Sequence, residues 1–300
     1  MNWIKLLLFL IFIPTRILAQ AENPLFAVYF NEQSNQIWAN RADHSLQYFD
    51  LNTNELHTLE GTKAEQFWDY GKHYLLLYIN QLFELDKKSH ALKTLPSNIR
   101  SNALFTYYPA RNTNLFVVKI IDFIEYQPAI FDIEMGKIKF LSSQRFENIH
   151  HIHEDKLGNF WLSDNNLYRY NKETNEWNLI FKMTKETDWL QKIKSTNNNL
   201  YVSTWNSLLI KFDLTNPEKE VNILSNVAPF KHKTFDVSQD ETIVVAQGRR
   251  IAWLENGVWT ELPIHKLNTI EGDIHHIQFI GDKKVLLNTG YSFGIIKLSE

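Results

Sequence analysis

A short apolar segment with a bulky centre recurs along this chain. It appears as Ile37-Trp38-Ala39, Leu75-Leu76-Leu77, Phe116-Val117-Val118, Phe160-Trp161-Leu162, Tyr201-Val202-Ser203, Ile243-Val244-Val245 and Val285-Leu286-Leu287. The centres at 38, 76, 117, 161, 202, 244 and 286 lie 38, 41, 44, 41, 42 and 42 positions apart. A near-constant period of this length belongs to a four-stranded blade. After each segment comes a second one that ends in an apolar residue and a polar turn starter. These are Phe49-Asp50, Leu85-Asp86, Phe131-Asp132, Tyr170-Asn171, Phe212-Asp213, Leu254-Glu255 and Leu298-Ser299. Asp and Asn suit this place because their side-chain oxygens accept from backbone N–H groups two residues on.

A further strand closes each of the first six units, ending at Leu59, Leu95, Leu141, Ile180, Leu224 and Leu262. An alternating segment precedes the bulky one, as at 25–30, 149–153 and 274–279. Short strands, regular turn signals and no helical periodicity predict an all-β fold. The architecture expected is a single β-propeller of about seven four-stranded blades over residues 22–300, because a ring leaves only short, protected edges. The seven centres should occupy equivalent, buried positions. Residues 25–30 should form the innermost strand of the first blade. The seventh unit stops after its third strand, so its outer edge should stand open to a protein partner or a second copy by strand addition.

The first residues carry the pattern of an export signal: Lys5, an apolar run at 6–13, then Ala19-Gln20-Ala21 as a small-x-small cleavage site. Residues 1–21 are read as a signal peptide and the protein as periplasmic or secreted, with an uncleaved anchor as the alternative. Arg16 cuts the apolar run below spanning length, and no second run follows. Net charge is −3, with 31 basic and 34 acidic residues intermixed, so no basic stripe suggests nucleic acid. The absence of cysteine removes disulfides, thiolate metal sites and thiol nucleophiles. No phosphate loop, serine elbow or zinc-protease helix is present, so neither a cofactor nor a catalytic residue is predicted.

In the fourth unit, Asp155-Lys156-Leu157-Gly158-Asn159-Phe160-Trp161-Leu162-Ser163 is followed by Asn166-Leu167-Tyr168-Arg169-Tyr170-Asn171. This run resembles the two-component regulator propeller repeat, which reads Asp-x-x-Gly-x-x-Trp-aliphatic-small and then Gly-Leu-aromatic-x-aromatic-Asp/Asn. Asn166 stands where that repeat has Gly, and the other units keep the spacing without the Asp-x-x-Gly turn. The resemblance implies a periplasmic sensor propeller of the kind found in bacterial hybrid sensor kinases, often tied to polysaccharide use. Such proteins continue into a membrane helix, a kinase and a DNA-binding output domain. This sequence ends at Glu300 with none of these, so either signalling would run through a separate partner or the chain is a remnant of a longer protein.

Among eleven histidines, His151 and His153 share one face of a strand, and His275-His276 form a second cluster. A channel metal site is one reading. Polar lining of a wet channel is the one preferred, because no carboxylate completes a ligand set, so no metal site is predicted. The regularly spaced aromatics suit blade-to-blade core. The binding candidates are residues outside that register, expected on loops at one end of the channel: Arg41, His44, Tyr126, Trp205, Arg249 and Tyr291. Exposed aromatic faces with polar neighbours suit a glycan fragment or an acidic small molecule. The function expected is recognition of an extracellular ligand or relay to a protein partner. A secreted lyase or glycosidase and a protein-interaction scaffold are the alternatives.

Overall fold

The computed structural model describes residues 25–31, 34–70, 72–79, 81–96, 105–109, 114–121, 125–132, 135, 137–184, 188–206, 208–218, 221–224, 234–262, 272–281, 283–290 and 292–298. These residues form β-strands and turns, with no helix among them. The proposed signal at 1–21 and Tyr291 lie outside the described residues.

Every sheet is built from strands consecutive in sequence and paired antiparallel. Sheet one holds β1 (Leu25–Asn31), β2 (Gln36–Arg41), β3 (Ser45–Asp50) and β4 (Glu55–Lys63). Sheet two holds β5 (Gln66–Tyr70), β6 (His73–Tyr78), β7 (Gln81–Asp86) and β8 (Leu92–Thr94). Sheet three holds β9 (Phe105–Pro109), β10 (Asn114–Ile121), β11 (Glu125–Asp132) and β12 (Lys137–Phe140). Sheet four holds β13 (His151–Glu154), β14 (Phe160–Ser163), β15 (Asn166–Asn171) and β16 (Glu176–Lys182). Sheet five holds β17 (Leu190–Ser195), β18 (Asn199–Thr204), β19 (Leu209–Asp213) and β20 (Val221–Ile223). Sheet six holds β21 (Thr234–Val237), β22 (Ile243–Gln247), β23 (Arg250–Glu255) and β24 (Val258–Glu261). Sheet seven has three strands among the described residues, β25 (His276–Phe279), β26 (Lys284–Asn288) and β27 (Phe293–Lys297). As expected, residues 25–30 form the first strand of sheet one, and 293–297 the last strand of sheet seven.

The turn chemistry explains the hairpins. The carboxylate of Asp50 accepts from the Asn52 N–H at 2.8 Å, Asp86 from Lys88 at 3.0 Å and Asp213 from Thr215 at 2.7 Å. Asn171 accepts from Glu173 at 2.9 Å in the same way. Asn54, His90, Asn175 and Asn256, later in such turns, take positive φ. Asn and His enter the left-handed region more readily than most side chains.

First strands of successive sheets lie beside one another, from β1 and β5 through to β21 and β25. Behind them the sheets pack face to face through apolar clusters. Trp38 and Leu46 meet Phe67 and Tyr74 between sheets one and two, and Trp161 meets Ile193 and Ile210 between sheets four and five. Trp253 meets Ile277 and Ile296 between sheets six and seven. Sheets seven and one also share a cluster, in which Leu286 and Phe293 meet Val28, Ile37, Ala39 and Phe49.

All seven predicted centres fall on the second strand of their sheet, and the six whose side chains are described are fully buried. Their faces are not all equivalent. Trp38, Trp161, Val244 and Leu286 point toward the following sheet, whereas Leu76 and Val202 point back toward the preceding one. A one-residue slip in alignment reverses the face, since side chains alternate along a strand.

The Asp155-x-x-Gly turn has a clear physical role. The buried Asp155 carboxylate accepts from the N–H groups of Leu157 and Asn159 and from the Trp161 indole at 2.8 Å. Gly158 closes the turn at φ +76°, donating to the Asp155 carbonyl at 3.1 Å. The turn thus fixes the indole that joins sheets four and five. Gly158→Ala places a Cβ in the left-handed region and is expected to lower stability by about 1 kcal/mol. Gly158→Asn should lose less, because Asn tolerates that conformation. Urea denaturation of both variants checks the order.

Candidate functional site

In this topology two kinds of loop converge: the turn between second and third strands, and the connection from one sheet to the next. Backbone hydrogen bonds tie them together repeatedly. Ala64 N–H donates to the His44 carbonyl at 2.8 Å, Leu190 to Asp164 at 3.2 Å and Ile274 to Gly248 at 2.7 Å. His44, Trp205 and Arg249 sit in these turns. His44 takes φ +65°, and its ring lies 5.9 Å from that of Tyr78 at the end of β6. Arg249 is exposed between β22 and β23.

Two of the predicted residues are placed differently from expectation. Arg41 is the last residue of β2, paired with Leu25. Tyr126 lies within β11, paired with Ile120 and bridged to Phe146, and it packs against the cluster of Phe146 and Ile152. The longest repeat interval, 44 positions, falls after Val117, and β10 and β11 each run to eight residues. That extension takes into a strand the position where a loop was expected.

Trp205 heads an aromatic stack that sequence reasoning did not assemble. Its indole lies 4.9 Å from that of Trp189 at an interplanar angle of 20°, and Trp189 stacks on His150 at 6.0 Å and 28°. Trp205 is 53% exposed. Trp189 belongs to the connection from sheet four to sheet five, and His150 directly precedes β13. The buried Asp188 holds the arrangement. Its carboxylate accepts from Thr204 Oγ1 at 2.9 Å, from Asn206 N–H at 2.9 Å and from Trp189 N–H at 3.1 Å. Trp205 N–H also donates to the Trp189 carbonyl at 2.9 Å. Burial lowers the pKa of His150, favouring the neutral imidazole. The result is a rigid aromatic ledge with an open indole face. Trp189 and His150 stand off the repeat register in the connections between sheets, and that was the signal available to find them.

The predicted histidines lie on inner edge strands. His151 and His153 are on β13, with rings 6.3 Å apart, and His276 is on β25. Among the described residues no group of three His, Asp or Glu gathers to hold a metal ion. Among the described residues no helix is long and apolar enough to cross a membrane.

No protein-family model and no curated protein sequence matches the chain. Solved structures do resemble it. The extracellular domain of BT4673 from B. thetaiotaomicron, assigned to a hybrid two-component system, superposes with a TM-score of 0.68 at 11% identity over 92% of this chain. The chain spans only 38% of that domain. YCF48 bound to D1 peptide superposes at 0.69 and 8% identity, covering 93% of this chain and 94% of the other. YCF48 from Cyanidioschyzon merolae gives 0.69 at 11% identity, covering 92% and 95%. The chain therefore has the all-β, multi-sheet fold of these propeller-type domains.

Proposed function

We propose that the chain is an exported, seven-bladed, closed β-propeller that acts by binding rather than by catalysis, its ledge end receiving an extracellular small molecule or glycan fragment. Seven successive sheets and the cluster shared by the first and seventh support the ring. The resemblance of residues 155–171 to the two-component regulator propeller repeat supports a sensor-type role, as does the fold likeness to the BT4673 domain. The signal pattern at 1–21 supports export to the periplasm or beyond.

The observation that carries the binding reading is the His150-Trp189-Trp205 stack, an aromatic face held open by a buried carboxylate. Indole faces stack on the C–H faces of sugars and on planar groups, and neighbouring polar side chains set orientation. Arg41, His44 and Arg249 would supply such a rim, while Tyr126 contributes packing.

Trp205→Ala removes an exposed side chain and should change stability by less than about 0.5 kcal/mol. It should weaken ligand binding at least tenfold, a difference of about 1.4 kcal/mol. Intrinsic fluorescence titration against a panel of neutral and acidic oligosaccharides reads both Trp205→Ala and Arg249→Ala. Binding by both variants at wild-type strength would remove the reading.

A second reading, docking of a protein segment, is favoured by one feature: β27 ends its sheet without a fourth strand among the described residues. Such an edge can accept a strand from a partner or a second copy. YCF48, of similar fold, has been captured with a peptide.

A further inference from the structure

The inner edge strands gather a second polar cluster that the aromatic ledge does not use. β17 presents Lys192 and Lys194 two residues apart, while Ile193 between them turns the other way into the core with Trp161. Lys194 pairs with Asp236 of β21 at 3.0 Å, and Asp236 also accepts from the Phe279 N–H of β25 at 2.8 Å. Lys192 has a neutral partner instead. Its ammonium donates to the Phe235 carbonyl at 2.9 Å and lies 5.6 Å from the centre of that residue's ring.

Two histidines feel the lysine charges, His151 on β13 beside β17 and His276 on β25 beyond β21. Burial, then the charges of His153, Lys192 and Lys194, holds the His151 pKa well below its ordinary value. Burial, then Lys192 and Lys194, brings His276 to about 3 against the opposing pull of Asp236. Burial and then Lys194 bring Lys192 down to about 7, again opposed by Asp236. His153, bonded to Ser195 at 2.8 Å, and Gln278, whose buried Oε1 lacks a hydrogen bond, add further polar groups, while Glu154 of β13 lies toward the Gly158 turn. With the imidazoles neutral, two ammonium groups face one carboxylate. The local field lacks a negative charge, and its sign disfavours a cation.

We propose that this cluster is a binding site for a small oxyanion, a carboxylate or a phosphate, held directly by Lys192. An ammonium group offers three donors, and the Phe235 carbonyl uses one of them. A neutral imidazole adds one N–H. Fixed donors in surroundings of low dielectric strengthen the hydrogen bonds that an anion accepts. The site is independent of the ledge, so each can fail alone.

Sodium phosphate and sodium succinate, each titrated calorimetrically against chloride of matched ionic strength, test the proposal and separate the two anion types. Wild-type protein should bind at least one of them at pH 6.5 and at least tenfold more weakly at pH 9, where Lys192 has lost its proton. Lys192→Met should abolish binding with its circular dichroism unchanged. Lys192→Arg, which does not titrate in this range, should bind succinate, whose charge is nearly constant there, with the same affinity at both pH values. No heat with either anion, equal affinity in Lys192→Met, or a pH profile in Lys192→Arg that follows wild type would each overturn the assignment.

Discussion

Replacing Trp161 with alanine is expected to cost about 3–5 kcal/mol, the usual range for truncating a buried indole. Trp161 is fully buried and sits among Leu190, Ile193, Val202 and Ile210 at the junction of sheets four and five. Truncation opens a cavity between two sheets packed face to face, and neither can collapse freely into the gap. It also takes from Asp155 the indole N–H that it accepts at 2.8 Å. Trp161→Phe keeps most of the volume and loses that bond, so it should cost about 1–2 kcal/mol. Urea denaturation followed by far-ultraviolet circular dichroism reads both. An alanine variant within about 1 kcal/mol of wild type would mean that the interface draws little from this residue.

The second large effect is expected at Asp236. Asp236→Ala removes the partner of Lys194, exposes Lys192 to an uncompensated neighbour and orphans the Phe279 N–H. Breaking a buried pair from one side costs about 3–5 kcal/mol, and Lys194 keeps a third of its side chain open, so about 2–3 kcal/mol is expected. The pH dependence follows from the same contacts. Burial alone would raise the Asp236 pKa, but Lys194, Lys192 and the Phe279 N–H together hold it below the ordinary value. A depressed carboxylate contributes stability that is present above its unfolded pKa, near 3.9, and fades as pH falls through its folded one. Wild type should therefore lose this contribution below about pH 4, whereas Asp236→Ala should lack that step. Lys192 acts in the opposite direction. Its folded pKa of about 7 lies below the unfolded value, so stability rises with pH between the two. The stability difference between Lys192→Met and wild type should therefore favour the variant most below pH 7 and shrink toward pH 10. Thermal melts across pH 3–10 on the three proteins resolve both terms.

The strand order was legible because two independent signals repeat together. Apolar second strands mark each sheet, and Asp or Asn at 50, 86, 171 and 213 marks the hairpin that follows. The phase of the alternation was less so. Tyr74-Leu75-Leu76-Leu77 and Leu200-Tyr201-Val202 are buried on both faces, so no polar residue marks which side is which. That is why Leu76 and Val202 were aligned to the wrong face. At the ledge, Trp205 stood out as an aromatic off the register. Its partners Trp189 and His150 come from other connections, and only the folded chain brings them together. The ionic cluster was open to a different reading. Lys194 and Asp236, like His153 and Ser195, are 42 positions apart, one repeat interval. Setting the units one above another would have paired them before any coordinates.

Among the described residues every sheet takes its strands from consecutive sequence, so each of these ladders forms without a distant segment. Chains emerging from a ribosome or an export pore can then add one unit at a time, each docking on the last. One surface is the exception. Val28, Ile37, Ala39 and Phe49 are covered by Leu286 and Phe293, made more than two hundred residues later. Until those arrive, the first unit carries an uncovered apolar face through the whole of synthesis, and a nascent chain halted before the seventh unit would present that face to a holding chaperone.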